Sequence, residues 1–142
     1  MGFLSFLQMD ILRFINPKSL GPARGYSNGV LARPVGGMLF IAGQIGWDEE
    51  HRIVSDDFVE QFDRALANLL TVVDEALGGP QHIARLVIYV TDKSEYLSRT
   101  REVGERYRAR MGRHFPAMVL VEVKSLLEDA AKVEIEGIAI LR

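Results

Sequence analysis

The stretch Ser55-Asp56-Asp57-Phe58-Val59-Glu60-Gln61-Phe62-Asp63-Arg64-Ala65-Leu66-Ala67-Asn68-Leu69-Leu70-Thr71-Val72-Val73-Asp74-Glu75-Ala76-Leu77 decides the architecture. Phe58, Phe62, Ala65, Leu66, Leu69, Val72, Val73, Ala76 and Leu77 follow the spacing of one apolar helix face. The spacing predicts a helix over Asp56 to Leu77. Ser55 is its candidate N-cap, and Asp56 and Asp57 suit the positive end of the helix dipole. Gly78-Gly79-Pro80 ends it. So broad an apolar face must bury against something, and the flanking sequence offers a sheet.

Upstream, Met38-Leu39-Phe40-Ile41-Ala42-Gly43 reads as a buried strand, and Pro34-Val35-Gly36-Gly37 as a hairpin turn joining it to a strand within Tyr26 to Ala32. Downstream, Arg85-Leu86-Val87-Ile88-Tyr89-Val90 is β-branched and apolar, the composition of a central strand. Asp92 with Glu95 has capping-box spacing and opens a second helix, whose apolar face is Tyr96, Val103, Tyr107 and Met111. Two strands close the chain, Ala117 to Val123 and Lys132 to Leu141. The order β-β-α-β-α-β-β predicts an α+β fold with two helices on one face of a mixed sheet. Along the first closing strand, Val119, Val121 and Val123 alternate with Met118, Leu120 and Glu122. Both sides are largely apolar, so the sheet face without helices is expected to meet another subunit.

A chain of 142 residues, 48% hydrophobic and 25% charged, suits a single soluble domain with one core. A net charge of −2 supplies no basic footprint, so nucleic acid is not an expected partner. No cysteine is present, which excludes disulfides and thiolate metal sites. It is compatible with the cytoplasm, the expected compartment. His51, His82 and His114 are scattered and adjoin no acid at ligand spacing, so no metal is expected. There is no GxSxG elbow, and Gly43-Gln44-Ile45-Gly46 is too short a glycine pattern to cradle phosphate. No cofactor is implied. The first twenty residues are apolar in part but contain no membrane-spanning run, no basic leader and no myristoylation pattern. We read residues 1–15 as an N-terminal extension and 16–142 as the domain.

Gly25-Tyr26-Ser27-Asn28-Gly29, Ile41-Ala42-Gly43-Gln44-Ile45, Phe115-Pro116-Ala117, Val121-Glu122-Val123 and Val133-Glu134-Ile135-Glu136-Gly137-Ile138-Ala139 occur in that order. Together they resemble the Rid/YjgF family of reactive-intermediate deaminases, also called L-PSP endoribonuclease-like, over roughly Asn16 to Leu141. The resemblance implies a chorismate-mutase-like fold, a homotrimer and small-molecule clefts between subunits. In the deaminating members, water adds to an imine or enamine and ammonia leaves. An arginine grips the substrate carboxylate, as a bidentate guanidinium does best. That position is Met118 here. The family's water-positioning glutamate falls on Glu134, its cleft tyrosine on Tyr26, and its pocket backbone on Gly43 and Gln44. Phe115 belongs to the same motif. Arg24 is the nearest candidate to replace the missing cation, with Arg113 and His114 as others.

The remaining candidates have plainer readings. Glu136 shares a strand face with Glu134 and invites a basic partner; Glu122 is a lone acid in an apolar strand; Trp47 follows Gly46 in a turn and covers either a cleft or the core edge. The expectation is therefore a cytoplasmic Rid-like trimer that binds, and through Glu134 hydrolyses, a small imine or enamine lacking a free carboxylate. Classical 2-imino acid deamination is not expected. The alternative is a non-catalytic ligand-sensing or protein-binding trimer, since fold alone does not guarantee activity. The negative net charge weighs against a ribonuclease.

Overall fold

The computed structural model describes residues 11–33 and 36–142. Its strands are β1 (Leu12–Ile15), β2 (Gly29–Ala32), β3 (Met38–Ile45), β4 (Ile83–Val90), β5 (Ala117–Glu122) and β6 (Val133–Ile140). Its helices are α1 (Phe58–Glu75), α2 (Lys93–Ser98) and α3 (Thr100–Met111). A four-stranded sheet runs in the order β3-β6-β4-β5. β6 is antiparallel to both its neighbours, and β4 is parallel to β5. Parallel neighbours need a long crossover, and α2 with α3 supply it.

The long apolar helix behaves as its spacing dictates. Phe58, Phe62, Ala65, Leu66, Leu69 and Val73 are buried against Ile41, Leu86, Ile88, Val90, Val133, Ile135 and Ala139 of the sheet. Val103, Tyr107 and Met111 of α3 complete that core. The fold is α+β, with helices on one face of a mixed sheet. No helix among the described residues is long and apolar enough to cross a membrane.

The details differ from expectation in four places. α1 starts at Phe58, capped by Asp57, whose carboxylate accepts from Glu60 N at 3.0 Å, and ends at Glu75, so Leu77, expected on its apolar face, falls past the end in a left-handed turn and is 94% exposed. Ser55 Oγ instead accepts from Asp57 N, holding the turn ahead of the cap. The second helix is two helices broken at Arg99. There the guanidinium donates to Asp57 of α1 and Glu102 of α3, so tertiary ion pairs override a continuous helix. Asp92 caps α2 through Ser94 N and Glu95 N, but Glu95 turns away to pair with Lys132 at 3.2 Å, leaving the capping box half made.

The fourth difference is at the start of the chain. Leu12–Ile15, read as part of an extension, is a strand antiparallel to β2. The hairpin expected between β2 and β3 does not pair those strands, since β3 pairs with β6. Pro34 and Val35 of the expected turn, and residues 1–10 of the expected extension, lie outside the described residues. Asn16 Oδ1 accepts from Asn28 N at 2.8 Å and so closes the β1–β2 ribbon. Ile11 and Leu12 bury against Ile140, with Val30, Ala32, Ala84 and Ile138 around them. The ribbon thus covers one end of the helix-free face. The rest stays open: Phe40 is 70% exposed, and Met38, Val119 and Val121 are also exposed.

Candidate functional site

Period-two alternation along β6 sends Val133, Ile135, Gly137 and Ala139 toward the helices and Glu134, Glu136, Ile138 and Ile140 to the open face. Cross-strand register then builds the neighbours. Glu134 lies beside Tyr89, and Tyr89 beside Val121. Glu136 lies beside Val87, and Val87 beside Val119. Arg85 follows in the next row, beside Ile138 and Ala117. The open face therefore carries two carboxylates, a phenol and a guanidinium among exposed aliphatic side chains.

Gly43 gives Glu134 its position. β3 departs from regular register between Ile41 and Gln44, and a Cβ on Gly43 would overlap the Glu134 carboxylate. The carboxylate lies over backbone that only glycine leaves bare. Its oxygens have no hydrogen-bond or ion-pair partner among the described residues, whereas Glu136 Oε1 accepts from Tyr89 Oη at 2.9 Å. That bond raises the Tyr89 pKa, as do partial burial and the negative charges of Glu136 and Glu134, with Arg85 acting the other way. Glu136 was expected to take a basic partner; its partner is a phenol.

Met118 lies on the other side of the sheet. It pairs with Leu86 and packs, half-buried, on the helix-side core. Phe115 is in the same layer, stacked on Tyr107 with centroids 5.7 Å apart. Tyr26 is 40% exposed beside the start of β5, where Ser27 N donates to Pro116 O and Ser27 Oγ to Phe115 O at 2.6 Å. Arg24 is exposed two residues earlier. Gln44 is at the opposite edge, lining a groove of about 400 Å³ with Trp47, Arg64 and Asn68. One chain thus joins Glu134 to Gly43 and places Tyr26 near Phe115, but it does not bring Met118 or Gln44 to Glu134.

The other candidates have structural partners. Glu122 accepts from Lys93 N at 2.8 Å, a carboxylate at the N-terminus of α2. Trp47 stacks on His51 at 4.1 Å. His114 has its Nε2 2.7 Å from Ile83 O, and burial lowers its pKa. Arg113 is exposed. No cluster of three or more metal-ligating side chains occurs among the described residues. Tyr89 and Arg85 escaped the sequence reading. The signal was available, because Arg85, Val87 and Tyr89 alternate through β4 and so share one face.

A family model described as Endoribonuclease L-PSP matches residues 16–141. A RutC family protein of Pyrococcus abyssi is 33% identical over 124 residues, 87% of this chain and 89% of the relative. The structure of YyfB from Yersinia pestis, a protein of unknown function in the conserved Rid family, superimposes with a TM-score of 0.84. That pair is 29% identical, covering 93% of this chain and 100% of the other. E. coli TdcF with bound serine gives a TM-score of 0.64 at 27% identity, covering 89% of this chain and 94% of the other.

Proposed function

The chain belongs to the Endoribonuclease L-PSP family, the Rid/YjgF family of its structural relatives, and from that premise we propose that it binds and hydrolyses a small imine or enamine whose carboxylate is absent or masked, as in an ester. The observation that carries this reading is the Glu134 carboxylate lying over Gly43 on the open sheet face, without a partner among the described residues. A carboxylate so held is free to accept a proton from water. The water oxygen bonds to the imine carbon as Glu134 takes its proton. That proton passes to nitrogen, giving a carbinolamine; its hydroxyl proton then moves to nitrogen through the same carboxylate as the C–N bond breaks, so that ammonia leaves and a carbonyl product remains.

Substrate choice follows from Met118. TdcF holds serine, which has a free carboxylate. At the motif position where the resemblance places an arginine, this chain has a thioether packed on its core. A hydrogen bond to a charged group is worth roughly 1.5–3 kcal/mol, or about 10- to 150-fold in affinity. A small imino acid has few other handles to make that up.

We further propose a homotrimer with its clefts between copies. Met118 and Glu134 lie on opposite faces of one sheet, so a single cleft can use both positions only if two chains form it. Exposed Phe40, Met38, Val119 and Val121 are suited to such burial. Glu134 then places the water, and Tyr26, Gly43, Gln44 and Phe115 contribute to the walls.

The test is ammonia release from the imine of an amino-acid ester. Glu134→Gln is expected to lower kcat/KM by about 100-fold or more with an unchanged melting temperature. If it turns over as wild type, or if neither protein releases ammonia, hydrolysis is wrong and a non-catalytic ligand-binding trimer takes its place.

A further inference from the structure

At the end of the sheet remote from Glu134, a cleft of about 460 Å³ opens between β1, the turn Pro80–His82, the residue His114 and the last residue, Arg142. Its size falls in the range of small-molecule sites, roughly 300–1,000 Å³. Four of its lining residues are basic in type: Arg13, His82, His114 and Arg142. They come from separate parts of the chain, and among the described residues no Asp or Glu lines the cleft. Neither arginine is ion-paired among the described residues. The backbone carbonyl of Arg142 lies against Gly36.

The imidazoles have defined roles. His82 Nδ1 accepts from Gly79 N at 2.9 Å, which leaves the proton on Nε2 as a donor. His114 is engaged with Ile83 O and meets the edge of Phe14 at 5.5 Å. Phe14 and Leu12 add an apolar wall. Two arginines and an imidazole N–H at a cleft with an aromatic residue are the side-chain types that suit an oxyanion carried on an apolar body.

We propose that this cleft binds a small organic oxyanion, a phosphomonoester or a carboxylate. Arg13 and Arg142 grip the oxyanion, His82 donates a further hydrogen bond, and Phe14 covers the apolar part. The site is separate from Glu134 and stands whether or not the imine chemistry holds.

The experiment is isothermal titration of the full chain with phenyl phosphate, benzoate and benzyl alcohol at low salt. Saturable binding is expected for at least one anion, and at least tenfold weaker binding for the neutral alcohol. Which anion binds more tightly tells phosphate from carboxylate. Arg13→Gln and Arg142→Gln should each weaken binding about fivefold or more. Both residues are exposed, so the fold should survive, as circular dichroism would check. Arg101→Gln, on the exposed surface of α3, should bind as wild type. The proposal is overturned if neither anion binds, if the alcohol binds equally well, or if the Arg13 and Arg142 variants match wild type.

Discussion

At Gly43 the missing side chain is what lets the Glu134 carboxylate lie where it does. Gly43→Ala should leave the fold intact, because the atoms that a Cβ meets belong to the flexible end of Glu134. The carboxylate must move aside, so turnover or ligand affinity should fall about tenfold or more while the melting temperature changes little. Met118 is the converse case. Replacing a half-buried thioether on the core with arginine, Met118→Arg, should cost about 1–3 kcal/mol in chemical unfolding. At this scale the sequence was partly legible. The motif pointed to Glu134 and Gly43, and alternation put Glu134 and Glu136 on one face. The register that separates Met118 from Glu134 was hidden, because strand order is a long-range property that residue spacing does not carry.

Among the elements, α1 was legible because its apolar period is long, and its cap was missed by only two positions. Gln61 was not singled out, since a polar residue on the buried side interrupts the pattern without announcing a role. It is fully buried, donating to Ser55 O and Ala130 O and accepting from Lys132 N at 2.8 Å. It ties α1 to the loop before β6. Gln61→Leu leaves those backbone groups unpaired and should cost about 2–4 kcal/mol, read from urea unfolding. The break at Arg99 and the Asp63 pairs with Arg106 and Arg110 were equally hidden, because they depend on helices meeting. The bond from Arg110, with its charge and that of Arg106, holds the Asp63 pKa below its ordinary 3.8 against partial burial. A lowered folded-state pKa gives stability that is present above about pH 4 and is lost as pH falls through the folded value. Asp63→Asn should therefore destabilise the protein at pH 7 by about 1 kcal/mol, and the gap to wild type should close on acidification toward pH 2.

For the molecule as a whole, the α+β layer and its open face followed from element order and from a strand apolar on both sides. The β1–β2 ribbon did not. A short run such as Leu12–Ile15 becomes a strand only because Gly29–Ala32 and Ile140 are there to receive it. The apolar area left open carries the assembly proposal. Sedimentation equilibrium should give three times the 15.9 kDa chain mass, and Phe40→Asp should shift the protein toward monomer. A wild-type monomer at micromolar concentration would contradict it. The central claim is that Glu134 acts on an imine whose carboxylate is not free. Its most direct test is the ratio of kcat/KM for the imine of an amino-acid ester to that for the matching free 2-imino acid, measured on the wild-type protein. The account predicts a ratio of about 10 or more in favour of the ester. A ratio below one, with the free acid turned over faster, would contradict it.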